Sequence, residues 1–332
     1  MKKTYIIAEI GNTHEGSVGL AKQFIKTAAD CGVDAVKFQT HIFEAESLAS
    51  APNPSYFKDE TRKQYFERTA FNLEEYKALK EYAEKECNVD FFSSPFSIEA
   101  VDFLMDVGVS TFKIPSGEVS NIPLLEHIEK TGKKVILSSG MSSWEELDRA
   151  VAVFKDKSKL TVLQCTSEYP CKPENAGLNV MLEIKDRYNC EVGFSDHTLG
   201  IGVPLTAVVL GATLVEKHFT LSKLMYGSDA KNSTEPDEFK HMVENIRAAE
   251  LAMRCKIDKD EKVKHLGDMK YVFEKSIVSA KELAEGHVIT AKDLNYKKPG
   301  DGIPAKDYKE IIGKTVKTKI PANEKIEYSQ LQ

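Results

Sequence analysis

Residues 191–219 read EVGFSDHTLGIGVPLTAVVLGATLVEKHF, and two short apolar runs inside this stretch, one from Glu191 and one from Thr213, end on an imidazole. His197 and His218 therefore stand 21 residues apart, each just past the carboxyl end of a strand-like run. That pattern predicts consecutive strands whose ends face one pocket. Working outward, six more runs of the same kind precede them: YIIAEI from Tyr5, DAVKFQ from Asp34, VDFFSS from Val89, TFKIPS from Thr111, KVILSS from Lys134 and LTVLQCT from Leu160. Helical patterns separate the runs. In GLAKQFIKTAADCG, Leu20, Phe24, Ile25 and Ala28 share one face and Gly32 supplies the stop. SSWEELDRAVAVFK places Ser143 and Glu146 at capping-box spacing. Eight strands alternating with helices predict an α/β fold of the (β/α)₈ TIM-barrel type, with a doubly wound open sheet as the competitor.

The polar residues favour the barrel. In chain order the strand ends carry Glu9; Lys37 and Gln39; Ser94; Lys113 with Ser116 and Glu118; Ser138 with Ser139; Thr166; Ser195 with His197; and Glu216 with His218. A single polar strand end needs no explanation beyond the loop that follows it. A polar or charged residue at every one of these ends is what a barrel needs when it converges them on a pocket. The long stretch from His41 to Phe71, with APNPSYFKDETRKQYF inside it, is read as an elaborated loop over that pocket.

The 332 residues suit a barrel of ~250 residues plus an appendage. The expected division is a catalytic barrel over 1–254, a charged, aperiodic connector over 255–271, and a small domain of short strands and turns over 272–332. The net charge of -6 is spread along the chain with no basic patch, which argues against a nucleic-acid partner. No run approaches the ~20 apolar residues that span a bilayer, and the apolar run after Lys2 and Lys3 meets Glu9 too soon for a signal-peptide core. The six cysteines show no paired spacing and read as reduced thiols, so a cytoplasmic location is expected.

Two imidazoles on consecutive strands suit two ligands of one divalent ion with open positions, and oxygen-rich surroundings favour Mn²⁺, Mg²⁺ or Fe²⁺ over Zn²⁺. Lys37 and Lys113, flanked by apolar residues on their strands, call for an anion. With the serines around them and Gly117 and Gly140 they make a phosphate or carboxylate cradle, although a Schiff-base role for either lysine stays open.

Taken together, AEIGNTHEG, VKFQT, FFSSPF, FKIPSGE, LSSGM, GFSDHTLG, EKHFTL and KPGDGIP resemble the sialic acid synthase family, the nonulosonate synthases that condense phosphoenolpyruvate with a mannosamine-type sugar. The resemblance implies a barrel followed by a SAF, or antifreeze-like, domain in a domain-swapped homodimer. By that resemblance His197 and His218 match manganese ligands, with Mg²⁺ or Co²⁺ as substitutes. Lys37, Ser94, Lys113, Ser116, Ser138 and Ser195 match the residues that hold phosphoenolpyruvate. Gln39, Glu118, Tyr169 and Asp229 match contacts to the aldose, and Glu9, Glu118 and Glu216 are the candidates to steer the attacking water. Two departures bear on the acceptor. Lys275 stands where many members have an arginine, and Ser167 and Cys171 replace a more usual asparagine and threonine. Legionaminic- or pseudaminic-type acceptors therefore stand beside N-acetylmannosamine. A 3-deoxy-octulosonate-type synthase or metal aldolase, and a non-catalytic sugar binder, are the rival classes.

Overall fold

The computed structural model describes residues 2–53, 59–227 and 229–332. The chain divides into two compact units, residues 1–254 and 255–332. In the first, eight parallel strands close into a barrel in sequence order: β1 (Tyr5–Gly11), β2 (Ala35–Thr40), β3 (Asp90–Pro95), β4 (Thr111–Ile114), β5 (Lys134–Ser138), β6 (Leu160–Cys165), β7 (Glu191–Asp196) and β8 (Leu214–His218). β8 pairs back onto β1, with Glu9 beside His218. Closure excludes the open doubly wound sheet, and the expected strands are found with ends displaced by a residue or two.

Helices return each strand to the next: α1 (Val18–Asp30), α2 (Phe43–Glu46), α3 (Arg62–Thr69), α4 (Leu73–Glu81), α5 (Ile98–Val107), α6 (Ile122–Lys130), α7 (Trp144–Val153), α8 (Leu178–Tyr188), α9 (Gly202–Val209) and α10 (Pro236–Arg254). Their starts follow the expected chemistry. Ser143 caps α7 in a complete capping box with Glu146, and α1 buries Phe24, Ile25 and Ala28 before Gly32 turns the chain at φ +86°. The stretch after β2 does form an elaborated connection containing α2 and α3; its residues 54–58 lie outside the described residues.

Side-chain alternation builds two cores. Outward-facing Ile6, Ala8 and Ile10 of β1 join Val36, Phe38, Phe91 and Phe112 against the helices. Inward-facing Ile7, Ala35, Phe92, Ile136, Leu163 and Leu214 fill the lower barrel as a dry plug. Position 193 on the same inner face is glycine because a side chain there would meet the Leu214 carbonyl at 2.5 Å.

In the second unit, the stretch expected to be an aperiodic connector instead forms two short helices, α11 (Lys259–Lys264), capped by Asp258, and α12 (Gly267–Phe273). Local capping and alternating charge support these exposed turns without an apolar stripe. β9 (Ser276–Ser279) and β10 (Leu294–Lys297) follow as an antiparallel pair, with the short helix α13 (Tyr308–Ile311). A separate small core of Ile277, Leu283, Ile289, Ile303, Ile311, Val316, Ile320 and Ile326 holds the unit together.

Candidate active site

Two residues further along each inner face, the barrel's filling changes from hydrocarbon to charge. Ile7 gives way to Glu9, Ala35 to Lys37, Phe92 to Ser94, Ile136 to Ser138, Leu163 to Cys165, Gly193 to Ser195 and Leu214 to Glu216. Apart from Ser138 and Cys165, these side chains join Lys113 and Gln39 in one hydrogen-bonded and ion-paired layer. Lys37 Nζ lies 2.7 Å from Glu9 Oε2 and 3.9 Å from Glu216 Oε2, and Lys113 Nζ lies 3.2 Å from Glu216 Oε1. Ser195 Oγ donates to Glu216 Oε1 at 3.1 Å, Gln39 Nε2 to Glu9 Oε1 at 2.8 Å, and Lys37 Nζ to Ser94 Oγ at 3.1 Å.

Above this layer opens a pocket of about 790 Å³. It gathers Glu9, Lys37, Gln39, Lys113, Ser116, Glu118, Ser138, Tyr169, Ser195, His197, Glu216, His218 and Asp229. Ser94 is fully buried beneath Lys37 rather than on the lining. Lys275 belongs to the second unit, exposed at the start of β9. The Ser138 hydroxyl is buried with no hydrogen-bond partner, and Gly140 packs so closely that a Cβ there would meet Ser116 Oγ at 2.0 Å and Ser167 Oγ at 2.5 Å.

Burial and charge split the titrating groups. Burial dominates at Glu9 and holds its carboxyl above the usual range despite Lys37. At Glu216 burial acts in the same sense, but Lys113 and Lys37 together outweigh it and keep the carboxylate ionised. Burial, with repulsion from Lys37, lowers Lys113, whereas Glu216 and Glu9 overcome burial at Lys37 and raise it.

The imidazoles of His197 and His218 meet across the β7–β8 seam with ring centroids 5.4 Å apart. His197 Nδ1 is 2.8 Å from the Thr166 carbonyl and so carries a proton there, which leaves Nε2 as the nitrogen available to a ligand; burial lowers this imidazole, but Cys165 and the Thr166 carbonyl outweigh it and raise its pKa. Burial pushes His218 well below its ordinary range, helped by His197 and Lys37, which favours its neutral form. This pair fits two ligands of an open divalent site. Among the described residues no group of three or more His, Cys, Asp or Glu side chains forms a closed ion cage. Tyr169 covers the pair, its ring 4.2 Å from His197.

Two strand-end expectations fall on the wrong side. Thr166 contributes its carbonyl to His197 while its hydroxyl bonds the Asn175 carbonyl, and the inward position belongs to Cys165, whose sulfur lies 3.9 Å from His197 Nδ1. Ser139 bonds Gln164 at 3.2 Å, leaving Ser138 as the inward hydroxyl. The sequence reading also missed a rim supplied after β2. His41 is sandwiched between Phe66 and Phe96, with centroids 3.8 and 4.0 Å away, and its ring nitrogens bond Glu46 at 2.9 Å and Gln39 at 3.2 Å. Arg62, held by the Ser47 hydroxyl and the Pro52 carbonyl, joins them on the lining. The signal available was the THIFEAE stretch, polar residues starting at the end of β2.

A family model described as the NeuB family matches residues 24–258, and a SAF domain model matches residues 274–332. The N,N'-diacetyllegionaminic acid synthase of Campylobacter jejuni is 41% identical over 325 residues, 95% of this chain and 96% of that protein. Human N-acetylneuraminate-9-phosphate synthase is 34% identical over 94% of this chain and 88% of its own length. The crystal structure of the N-acetylneuraminic acid (sialic acid) synthetase from Leptospira borgpetersenii, in complex with citrate, superposes with a TM-score of 0.69 at 32% identity, covering 81% of this chain and 93% of that one. With more than half of its length matched by the family model, and with such relatives aligned nearly end to end, the chain belongs to the NeuB family and carries a SAF domain at its C-terminal end.

Proposed function

We propose that this protein is a nonulosonic acid synthase that condenses phosphoenolpyruvate with an open-chain N-acyl-mannosamine-type sugar and releases inorganic phosphate. One observation carries the reading: two buried lysines and an unpartnered buried serine hydroxyl converge in the same pocket as two neighbouring imidazoles. Its names of kin are synthases of legionaminic, pseudaminic and sialic acids.

Lys37 and Lys113 bind the phosphate and carboxylate of phosphoenolpyruvate, with Ser116, Ser138 and Ser195 as hydroxyl donors and Ser94 holding Lys37 from below. Before the substrate binds, Glu9 and Glu216 balance the two ammonium groups. This arrangement is set in advance by the barrel, so little reorganisation accompanies the reaction. His197 and His218 would hold a divalent cation, Mn²⁺ or in its place Mg²⁺ or Co²⁺, which when bound supplies Lewis acidity toward the sugar aldehyde. Gln39, Glu118, Tyr169 and Asp229 orient the acceptor so that its aldehyde carbon faces the methylene carbon of the enol phosphate.

The methylene carbon attacks, forming the C–C bond. Water adds to the former enol carbon, and the resulting tetrahedral centre expels phosphate by C–O cleavage while the sugar oxygen takes up a proton. Phosphoenolpyruvate, sugar and water thus give the 2-keto acid and phosphate. Glu9 and Glu216 in the charged layer, with Glu118 at the rim, are the carboxylates available to steer the water. The enzyme works as a homodimer in the cytoplasm, with Lys275 contributing to acceptor recognition.

Phosphate release from phosphoenolpyruvate with Mn²⁺ tests the proposal across N-acetylmannosamine, its 6-phosphate, diacetamido-trideoxy hexoses and arabinose 5-phosphate. The expected result is turnover with one hexosamine, abolished by chelation and by His197→Ala. Turnover with arabinose 5-phosphate alone overturns it in favour of a 3-deoxy-octulosonate-type synthase.

A further inference from the structure

Directly behind the two histidines lies a second pair of charges that does not line the pocket. Asp196 and Lys217 are register partners at the ends of β7 and β8, 1% and 3% exposed, and they form an ion pair. Lys217 Nζ also donates to the Thr198 carbonyl at 2.6 Å, while Asp196 Oδ1 accepts from Thr198 N at 2.9 Å and Thr198 Oγ1 at 2.8 Å. Burying two full charges is unfavourable, and a packed apolar pair would serve stability as well or better. Their position supplies another reason. Asp196 precedes His197 and Lys217 precedes His218, and Thr198, on the far side of His197, is tied to both charges. The backbone on either side of His197 is thereby fastened to the residue that carries His218. The remaining freedom of His197 is removed by Cys171 N, which donates to its carbonyl at 2.8 Å, and by the Thr166 carbonyl behind its ring.

We propose that the Asp196–Lys217–Thr198 clamp is a positioning device that sets the spacing of the His197 and His218 rings, and with it the affinity for a divalent ion. The inference rests on the reading of these histidines as metal ligands. Groups behind metal-binding imidazoles typically change affinity by about 10–100-fold when removed. Breaking one charge alone would leave the other buried and unpaired, so the informative variant removes both: Asp196→Leu with Lys217→Met.

The probe is Mn²⁺ itself, titrated by EPR into metal-free wild type, His197→Ala and the double variant, with thermal melts recorded in chelator. The expected outcome is a double variant that melts within a few degrees of wild type and binds Mn²⁺ about 10–100-fold more weakly. Its turnover should recover when Mn²⁺ is raised in proportion, a shift in metal requirement that a merely structural role would not give. Wild-type Mn²⁺ affinity in the folded double variant overturns the clamp and leaves the metal reading intact. Absence of Mn²⁺ binding in the wild type, or undiminished binding in His197→Ala, overturns both. If the double variant does not fold, Thr198→Ala decides: roughly threefold weaker Mn²⁺ binding supports the clamp, and unchanged binding overturns it.

Discussion

The lower and upper layers of the barrel interior are built by the same strands on the same face, two residues apart, yet they have opposite chemistry. Below, Ile7, Ala35, Phe92, Ile136, Leu163 and Leu214 exclude water and contribute apolar burial. Above, Glu9, Lys37, Lys113 and Glu216 are equally buried but ionisable, and each lies against a group that can carry the opposite charge. The difference teaches a division of labour. The plug supports the fold and desolvates the floor of the charged layer; the charged layer gives up stability to keep an anion site ready.

The sharpest way to break this comparison is to turn part of the upper layer into the lower one. Lys113→Met with Glu216→Leu removes an ion pair and leaves Lys37 paired with Glu9. Unfolding in denaturant should show equal or greater stability, as apolar replacements of buried pairs often do. Phosphate release should fall by roughly 10⁴-fold or more, combining the loss of two electrostatic contributors. Retention of turnover within tenfold would show that the layer is structural.

Glu9→Gln comes next. Glutamine keeps the volume and the contact with Gln39, and Lys37 still has Ser94. The expected loss is about 100-fold in kcat with the KM for phosphoenolpyruvate within about threefold, in the range for one positioned proton-transfer group. An unchanged kcat removes Glu9 from the carboxylates that steer the water.

Much of this contrast is legible in the sequence. Period-two alternation inside eight short runs, each turning polar at its end, gives both the barrel and the inward set from Glu9 to His218. The readings at Thr166 and Ser139 slipped because a strand end is polar on both faces, and only the register says which side chain points inward. Asp196 and Lys217 were not legible, since a charge on the outer face of a strand end reads as solvated until Thr198 folds back to enclose it. The rim of His41, Glu46 and Arg62 comes from a long connection with no periodicity, where only the fold brings distant residues together. His14 of the same AEIGNTHEG motif shows the converse. It is buried against Phe71 at 4.4 Å, and burial pushes it down to about 3, so it belongs to the packing of the fold.

Ser94→Ala probes the joint between the layers. It removes one partner from Lys37 and leaves Glu9 in place. Affinity for phosphoenolpyruvate should weaken about tenfold with kcat nearly unchanged, reflecting one hydrogen bond to a charged group. Isothermal titration with phosphoenolpyruvate checks this, and an unaltered Kd would mean that Lys37 holds its position without Ser94.

The smallest effect on turnover is expected from the largest lesion in packing. Leu163 is fully buried in the plug, and Leu163→Ala leaves a cavity two residues below Cys165 on the same strand face. Urea unfolding should show a loss of about 2–5 kcal/mol. Phosphate release, measured well below the lowered melting temperature, should stay within about threefold of wild type, because the upper layer is held laterally by its own ion pairs and by strand pairing. A turnover loss as large as that of Glu9→Gln would refute the division of labour: the charged layer would then take its geometry from the plug beneath it, and the two layers would act as one device.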